Sequence, residues 1–273
     1  MVAYGTSAPE LAVSLMAASH GSTDLAYGNI VGSNVANLGL VLGAAALVRP
    51  MRASAALLRR EIPFLIAATA AVPILAWDGT LSHLDGVLFL AGAVFFTGSC
   101  LLSAIRGDVP ASVDVDELAA PEAGPRARLR RAVPLVVVGS IGLVAGSHFL
   151  VEGATAIALA FHVPEQIIGL SLVAIGTSLP ELATSLTGAF RGEGDIALGN
   201  VIGSNIFNVL LIFGATATAA EIPVPGHVWS FEVIAMLILT GLLVPFIVTG
   251  QRISRIEGGV LLLGYGAFLF TLF

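Results

Sequence analysis

Two glutamates in matching settings are the residues best suited to chemistry in this chain. Glu10 closes the run GTSAPE that starts at Gly5, and Glu181 closes GTSLPE from Gly176. Further along, each is followed by a run of small and amide residues, GNIVGSNVAN from Gly28 and GNVIGSNIFN from Gly199. Brought together, the two settings supply the carboxylates of Glu10 and Glu181 and the hydroxyls of Thr6, Ser7, Thr177 and Ser178. They add the serines Ser33 and Ser204 and the amides of Asn37 and Asn208. This donor set is all oxygen, without His or Cys, so it suits hard cations such as Ca²⁺ or Na⁺ and argues against zinc or copper. Two carboxylates balance one Ca²⁺ or two Na⁺. No nucleophile and base pair is found, so an enzyme is not expected, and neither is a cofactor.

The two settings belong to one internal repeat. A shift of 171 positions lays Gly5 to Gly43 on Gly176 to Gly214 without a gap, with 21 of the 39 pairs identical. Identity is kept at polar positions, including the pairs Asn29/Asn200, Ser33/Ser204 and Asn37/Asn208. A repeat kept only for packing would retain leucines and lose its acids, because a carboxylate at mid-membrane costs about 2.5 to 3.5 kcal/mol on insertion scales. A buried helix-to-helix hydrogen bond is the blander account of the glutamates, but it explains neither the duplication nor the flanking hydroxyls. For the Asn and Ser residues the bland account is interhelical glue, and it applies best to Asn29, Asn34 and their partners.

The elements that must position these residues are membrane helices. Of 273 residues 56% are apolar and 11% charged, with a mean hydropathy of +0.95; a soluble domain carries roughly a quarter charged residues. Crossing a bilayer takes about 20 apolar residues. Apolar runs near 2–18, 25–48, 62–77, 84–105, 133–155, 164–190, 196–218, 228–248 and 257–273 predict an all-α polytopic membrane protein of about nine spans. The polar stretch from Arg106 to Arg131 reads as a solvated linker. It divides a first repeat, 1–105, from a second, 132–273. The net charge of -6 sits mostly in loops and points to no partner, and Cys100 is a lone thiol in an apolar run.

All twelve basic residues are arginines, and all fall in alternate connections: 49–60, 106–131, 191 and 252–255. By the positive-inside rule these loops are cytoplasmic, the C-terminus is outside and the chain lies in the cytoplasmic (inner) membrane. Five steps separate the opening helices of the two copies. An odd number inverts one copy relative to the other, as in secondary transporters, and brings the copies face to face at the midplane.

Within a copy, Thr6 and Glu10 are four apart and share a helical face, while Gly5 and Pro9 offer a point where the helix can break. Asn29, Ser33 and Asn37 form a polar stripe on the next helix. Gly28 and Gly32, with Gly199 and Gly203, give the small-xxx-small spacing that lets helices approach closely. Asp24 and Asp195 match in the repeat and read as helix-start acids. The second copy is preceded by a span from about residue 132 that has no counterpart, so the repeat predicts roughly 40 further residues before Met1.

Both signature runs, GTSAPE…GNIVGSNVAN and GTSLPE…GNVIGSNIFN, resemble those of the calcium/cation antiporter superfamily, in particular prokaryotic calcium/sodium antiporters related to sodium/calcium exchangers. The likeness extends in span order over nearly the whole chain. It implies two inverted repeats with discontinuous helices at the ion site, and Ca²⁺ export in exchange for Na⁺. It further implies Glu10 and Glu181 as central ligands, with Thr6, Ser7, Thr177 and Ser178 beside them. Ser33, Asn37, Ser204 and Asn208 would line the other half, and the carbonyls of Ala3 and Ala174 would face the ions. Some members carry an aspartate where this chain has Asn37 or Asn208, which leaves the site two acids and brings in H⁺ as a coupling ion. The alternatives are a Ca²⁺/H⁺ antiporter, a passive cation channel and an inactive, N-terminally truncated fragment. The expected partners are calcium and sodium ions and the lipid bilayer, with no nucleic acid.

Overall fold

A computed structural model describes residues 2–54, 57–106, 161–224 and 230–272, with scattered helical positions between 138 and 160. The expected linker beyond Arg106 and most of the expected 133–155 span lie outside the described residues. The first repeat comprises α1 (Val2–Thr6), α2 (Ala8–Ser19), α3 (Thr23–Val48), α4 (Leu57–Asp78) and α5 (His83–Arg106). The second comprises α6 (Gln166–Thr177), α7 (Leu179–Arg191), α8 (Gly194–Ala219), α9 (Phe231–Gly250) and α10 (Arg255–Leu272). Four two-residue strands punctuate them: β1 (Met51–Arg52), β2 (Thr80–Leu81), β3 (Ile222–Pro223) and β4 (Arg252–Ile253). Every expected span except 133–155 falls on one of these helices or on a broken pair.

The backbone repeats in the register of the sequence. α3 widens from α to π winding over Asn37–Leu42, and α8 does so over Asn208–Phe213, the same positions after the 171-residue shift. The turn before each long helix has a glycine at positive φ, Gly21 at 82° and Gly192 at 84°, a conformation that favours glycine.

α3 and α8 form the interior. Neither has a polar face for solvent, and the most apolar stretch of each is 83% buried, against 22% for α5 and α10, whose outer faces suit lipid. Aromatic contacts fasten α5 to α8, with the rings of Phe89 and Phe213, and of Phe96 and Phe207, 6.2 Å apart.

The copies are inverted. α3 runs toward β1, and α8 starts there, with Gly194 packed on Met51. β1 pairs antiparallel with β4 on that face, and β2 pairs with β3 where α8 ends. The described arginine-bearing connections therefore share one face: Arg52 lies in β1, Arg252 in β4, Arg49 over Gly192, and the Arg255 guanidinium donates to the Val48 carbonyl over 3.2 Å. α10 starts at this face, so its far end lies at the other.

The repeat reaches further than the ungapped alignment. Ser82 and Asp85 bond each other's backbone N–H at the start of α5, and Ser254 and Glu257 do the same at α10. These are reciprocal capping boxes, and they match after one additional residue of shift.

Candidate ion site

Each broken helix delivers a serine and a glutamate to the middle of the molecule. The break falls at Ser7 (φ -85°, ψ 8°) and at Ser178 (φ -84°, ψ 5°), with a proline at the second position of the helix that follows. Proline fits there because its missing N–H has no intrahelical role at a helix start. Gly5 and Pro9 flank the break without being it. Thr6 and Glu10 therefore sit on opposite sides of a bend and do not share one continuous helical face; in the second copy the axis turns by 44°.

The serines cross over. Ser7 Oγ donates to Glu181 Oε1 over 3.0 Å, and Ser178 Oγ donates to Glu10 Oε1 over 3.3 Å. Each copy's serine thus holds the other copy's glutamate. Ser204 Oγ adds a second donor to Glu181 Oε1 at 3.3 Å. Both glutamates are fully buried, and the Oε2 atom of each has no partner among the described residues. A buried carboxylate oxygen without a donor is costly, and a cation satisfies two such oxygens at once.

The asparagines take two parts. Asn37 and Asn208, where the π segments begin, are fully buried with both amide atoms unpartnered among the described residues. π-bulges occur frequently at functional sites, and these place amide oxygens in the interior without a local partner. Asn29 instead ties elements together: its amide donates to Ser14 Oγ (2.9 Å) and to the Glu10 carbonyl (3.2 Å), while its oxygen accepts Thr177 Oγ1 (3.1 Å). Asn200 repeats this with Ser185 at 3.3 Å and Thr6 at 3.4 Å. The two threonines thus turn toward these amides. Asn34 donates back to the Ile30 carbonyl.

The remaining expected residues also find places. Ser33 Oγ and Thr177 Oγ1 share a hydrogen bond at 3.3 Å, and Ser33 is bonded to neither glutamate. The Ala3 and Ala174 carbonyls accept Ser7 N–H and Ser178 N–H at 3.1 Å, with Thr6 and Thr177 hydroxyls at 3.4 Å. Ser14 and Ser185 are buried, identical in the repeat and one helical turn beyond the glutamates. That spacing was a readable signal, although neither was expected at the site. The described residues hold no group of three or more His, Cys, Asp or Glu able to grip a metal. Hydroxyl and amide oxygens around two carboxylates can strip water from a hard cation without a soft ligand.

The model of the family described as "Sodium/calcium exchanger protein" matches residues 1–102 and 131–273. The chain belongs to this family. Its members are ion exchangers, so the chain is a membrane transporter and not an enzyme. A relative named putative antiporter CaxA, from Alkalimonas amylolytica, is 39% identical over all of this chain and 86% of its own length. The sodium/calcium exchanger MaX1 of Methanosarcina acetivorans is 33% identical over all of this chain and 87% of its own. Among solved structures, the sodium-calcium exchanger NCX_Mj soaked with Na⁺ and Ca²⁺ superposes with a TM-score of 0.78 at 30% identity, covering all of this chain and 84% of that one. The family places the crossed serine and glutamate pairs in a fold used for cation exchange.

Proposed function

We propose that this protein is a secondary antiporter that exports Ca²⁺ from the cytoplasm in exchange for Na⁺, by alternating access around Glu10 and Glu181. The observation that carries the reading is the crossed pairing of Ser7 with Glu181 and Ser178 with Glu10, which leaves one oxygen of each carboxylate unpartnered at the junction of the inverted copies. Thr6, Ser7, Thr177, Ser178, Ser33, Ser204, Asn37 and Asn208 complete the oxygen lining, with the Ala3 and Ala174 carbonyls beside it. Inverted repeats meeting at a fixed site support exchange by rocking of one part against the other. A compact site with two carboxylates holds an ion too firmly for the fast release a channel needs. The names of MaX1 and NCX_Mj support Na⁺ as the counter-ion. The positive-inside rule makes the arginine-bearing face cytoplasmic and the end of α10 external.

One observation favours a second reading. Asn37 and Asn208 are both neutral, so the site has two acids, and protons can discharge those as well as sodium can. The test is ⁴⁵Ca²⁺ uptake into proteoliposomes driven by an opposing Na⁺ gradient and then by a pH gradient alone. Sodium-driven uptake is the expected result; uptake driven only by the pH gradient makes the protein a calcium/proton antiporter. Flux that follows the Ca²⁺ gradient and ignores both others overturns exchange altogether.

A further inference from the structure

The arginine-bearing face carries charge that the ion site does not use. In the ribbon of β1 and β4, Arg52 stands directly opposite Arg252, and both are exposed. Like charges in register across an antiparallel pair repel and weaken the ribbon. The charge bias of a membrane face is met by arginines anywhere in a loop, so it does not explain two guanidiniums held opposite one another. The related ribbon on the other face pairs Thr80 with Pro223 and Leu81 with Ile222, and carries no charge.

Beside the arginine ribbon, a cavity of about 400 Å³ opens between the end of α3, β1 and the turn from α7 into α8. Its lining includes Arg49, Arg52, Gly192, Gly194 and Asp195. Arg49 lies over Gly192, where any side chain would collide with it, and Asp195 accepts the Ser54 N–H. Among the described residues the ion pair is Arg60 with Glu61; Arg49, Arg52 and Arg252 have none.

We propose that Arg49, Arg52 and Arg252 hold a phosphate group at the mouth of this cavity, supplied by the headgroup of an anionic phospholipid in the adjoining leaflet. Guanidinium forks match phosphate oxygens in pairs, and an anion placed between Arg52 and Arg252 turns their repulsion into attraction. The cavity lies where α3 ends and α8 begins, at the level of a membrane span's end, where headgroups are found. Asp195, also in the lining, repels an anion and keeps the phosphate on the ribbon side. Lipid bound here fastens the ribbon, which joins the two copies, to the entrance of α8.

The test titrates the thermal midpoint of the full chain in detergent with phosphatidylglycerol, phosphatidylcholine and soluble pyrophosphate. Phosphatidylglycerol is expected to raise the midpoint saturably, and phosphatidylcholine to leave it unchanged. The double variant Arg52→Gln/Arg252→Gln should need about 25-fold more phosphatidylglycerol, roughly fivefold per arginine near an anionic surface. Without lipid it should melt at or above the parent, because the repulsion is gone. Arg191→Gln removes an arginine of the same face outside the cavity lining and should leave the titration unchanged. Pyrophosphate that reproduces the shift with the same arginine dependence keeps the phosphate site and makes its source soluble. The proposal is overturned if the double variant responds like the parent, if Arg191→Gln loses as much, or if phosphatidylcholine acts as well as phosphatidylglycerol.

Discussion

Glu181 is held by two serine hydroxyls, from Ser7 and Ser204, whereas Glu10 receives one, from Ser178, because Ser33 turns to Thr177 instead. All of these residues are identical between the copies, so the difference does not come from residue type. It lies in the group each long-helix serine faces: Ser204 turns to the carboxylate of its own copy, and Ser33 turns across to the other copy's threonine. The helices that carry these serines pack closely in both copies: a Cβ on Gly32 would stand 2.8 Å from that of Ala174, and one on Gly203 3.0 Å from that of Ala3. One repeated sequence thus holds two arrangements, which is what an inverted-repeat exchanger needs if the copies trade places as access alternates.

The largest effect should come from removing a charge. Glu10→Gln and Glu181→Gln should each cut gradient-driven Ca²⁺ flux at least about 100-fold, since one member of a buried, hydrogen-bonded charge set is lost. The amide oxygen at 181 can still accept from Ser7 and Ser204, so that variant should melt close to the parent. Normal flux in either variant would remove that glutamate from the site.

Next in size is the close packing of α3 and α8 on the broken helices. Gly32→Ala forces backbone or Ala174 to move and should cost about 1 to 3 kcal/mol, as overpacking does. Gly203→Ala, at the matching position in the other copy, brings a Cβ to 3.0 Å from that of Ala3 and should be destabilising as well. Thermal unfolding of the two variants side by side measures this. No loss in either variant would mean that these glycines are not there to let the helices approach.

The serines give a smaller and sharper comparison. Ser204→Ala removes a bond to a carboxylate and should weaken apparent Ca²⁺ affinity about tenfold, whereas Ser33→Ala removes a bond between neutral hydroxyls and should change it by less than about threefold. Concentration dependence of ⁴⁵Ca²⁺ uptake separates the two. If Ser33→Ala is as damaging as Ser204→Ala, Ser33 serves Glu10 during turnover, and the two arrangements do exchange.

Much of this was legible before any coordinates. The 171-residue shift named the glutamates, their serines and the asparagines where the π segments begin, and the alternating arginines grouped loops that do share a face. What spacing could not supply was direction in space. Thr6 and Glu10, read as neighbours one turn apart, are separated by the bend at Ser7, and Thr6 serves Asn200 across the molecule. Asn29 reads like Asn37 in the same polar stripe, yet a partner on another helix makes it a tie, while Asn37 has none among the described residues. The capping boxes at Ser82 and Ser254 escaped because a single extra residue breaks the register, although the pattern of Ser followed three residues later by an acid was present in both copies.

Those two caps frame the smallest difference between the copies. The residue after each capping serine reaches the end of the other copy's long helix: His83 Nδ1 donates to the carbonyls of Ala217 (3.0 Å) and Thr218 (3.2 Å), and Arg255 donates to Val48. A donor at a helix C-terminus satisfies orphan carbonyls and favours the negative end of the helix dipole, worth about 0.3 to 1 kcal/mol at an exposed site. His83→Ala and Arg255→Ala should therefore each lower stability by that small amount. Thermal unfolding of both variants beside the parent measures the two losses. A loss well above about 1 kcal/mol in only one of them would show that this clasp does more than satisfy orphan carbonyls, and that the two copies are fastened unequally at their opposite ends.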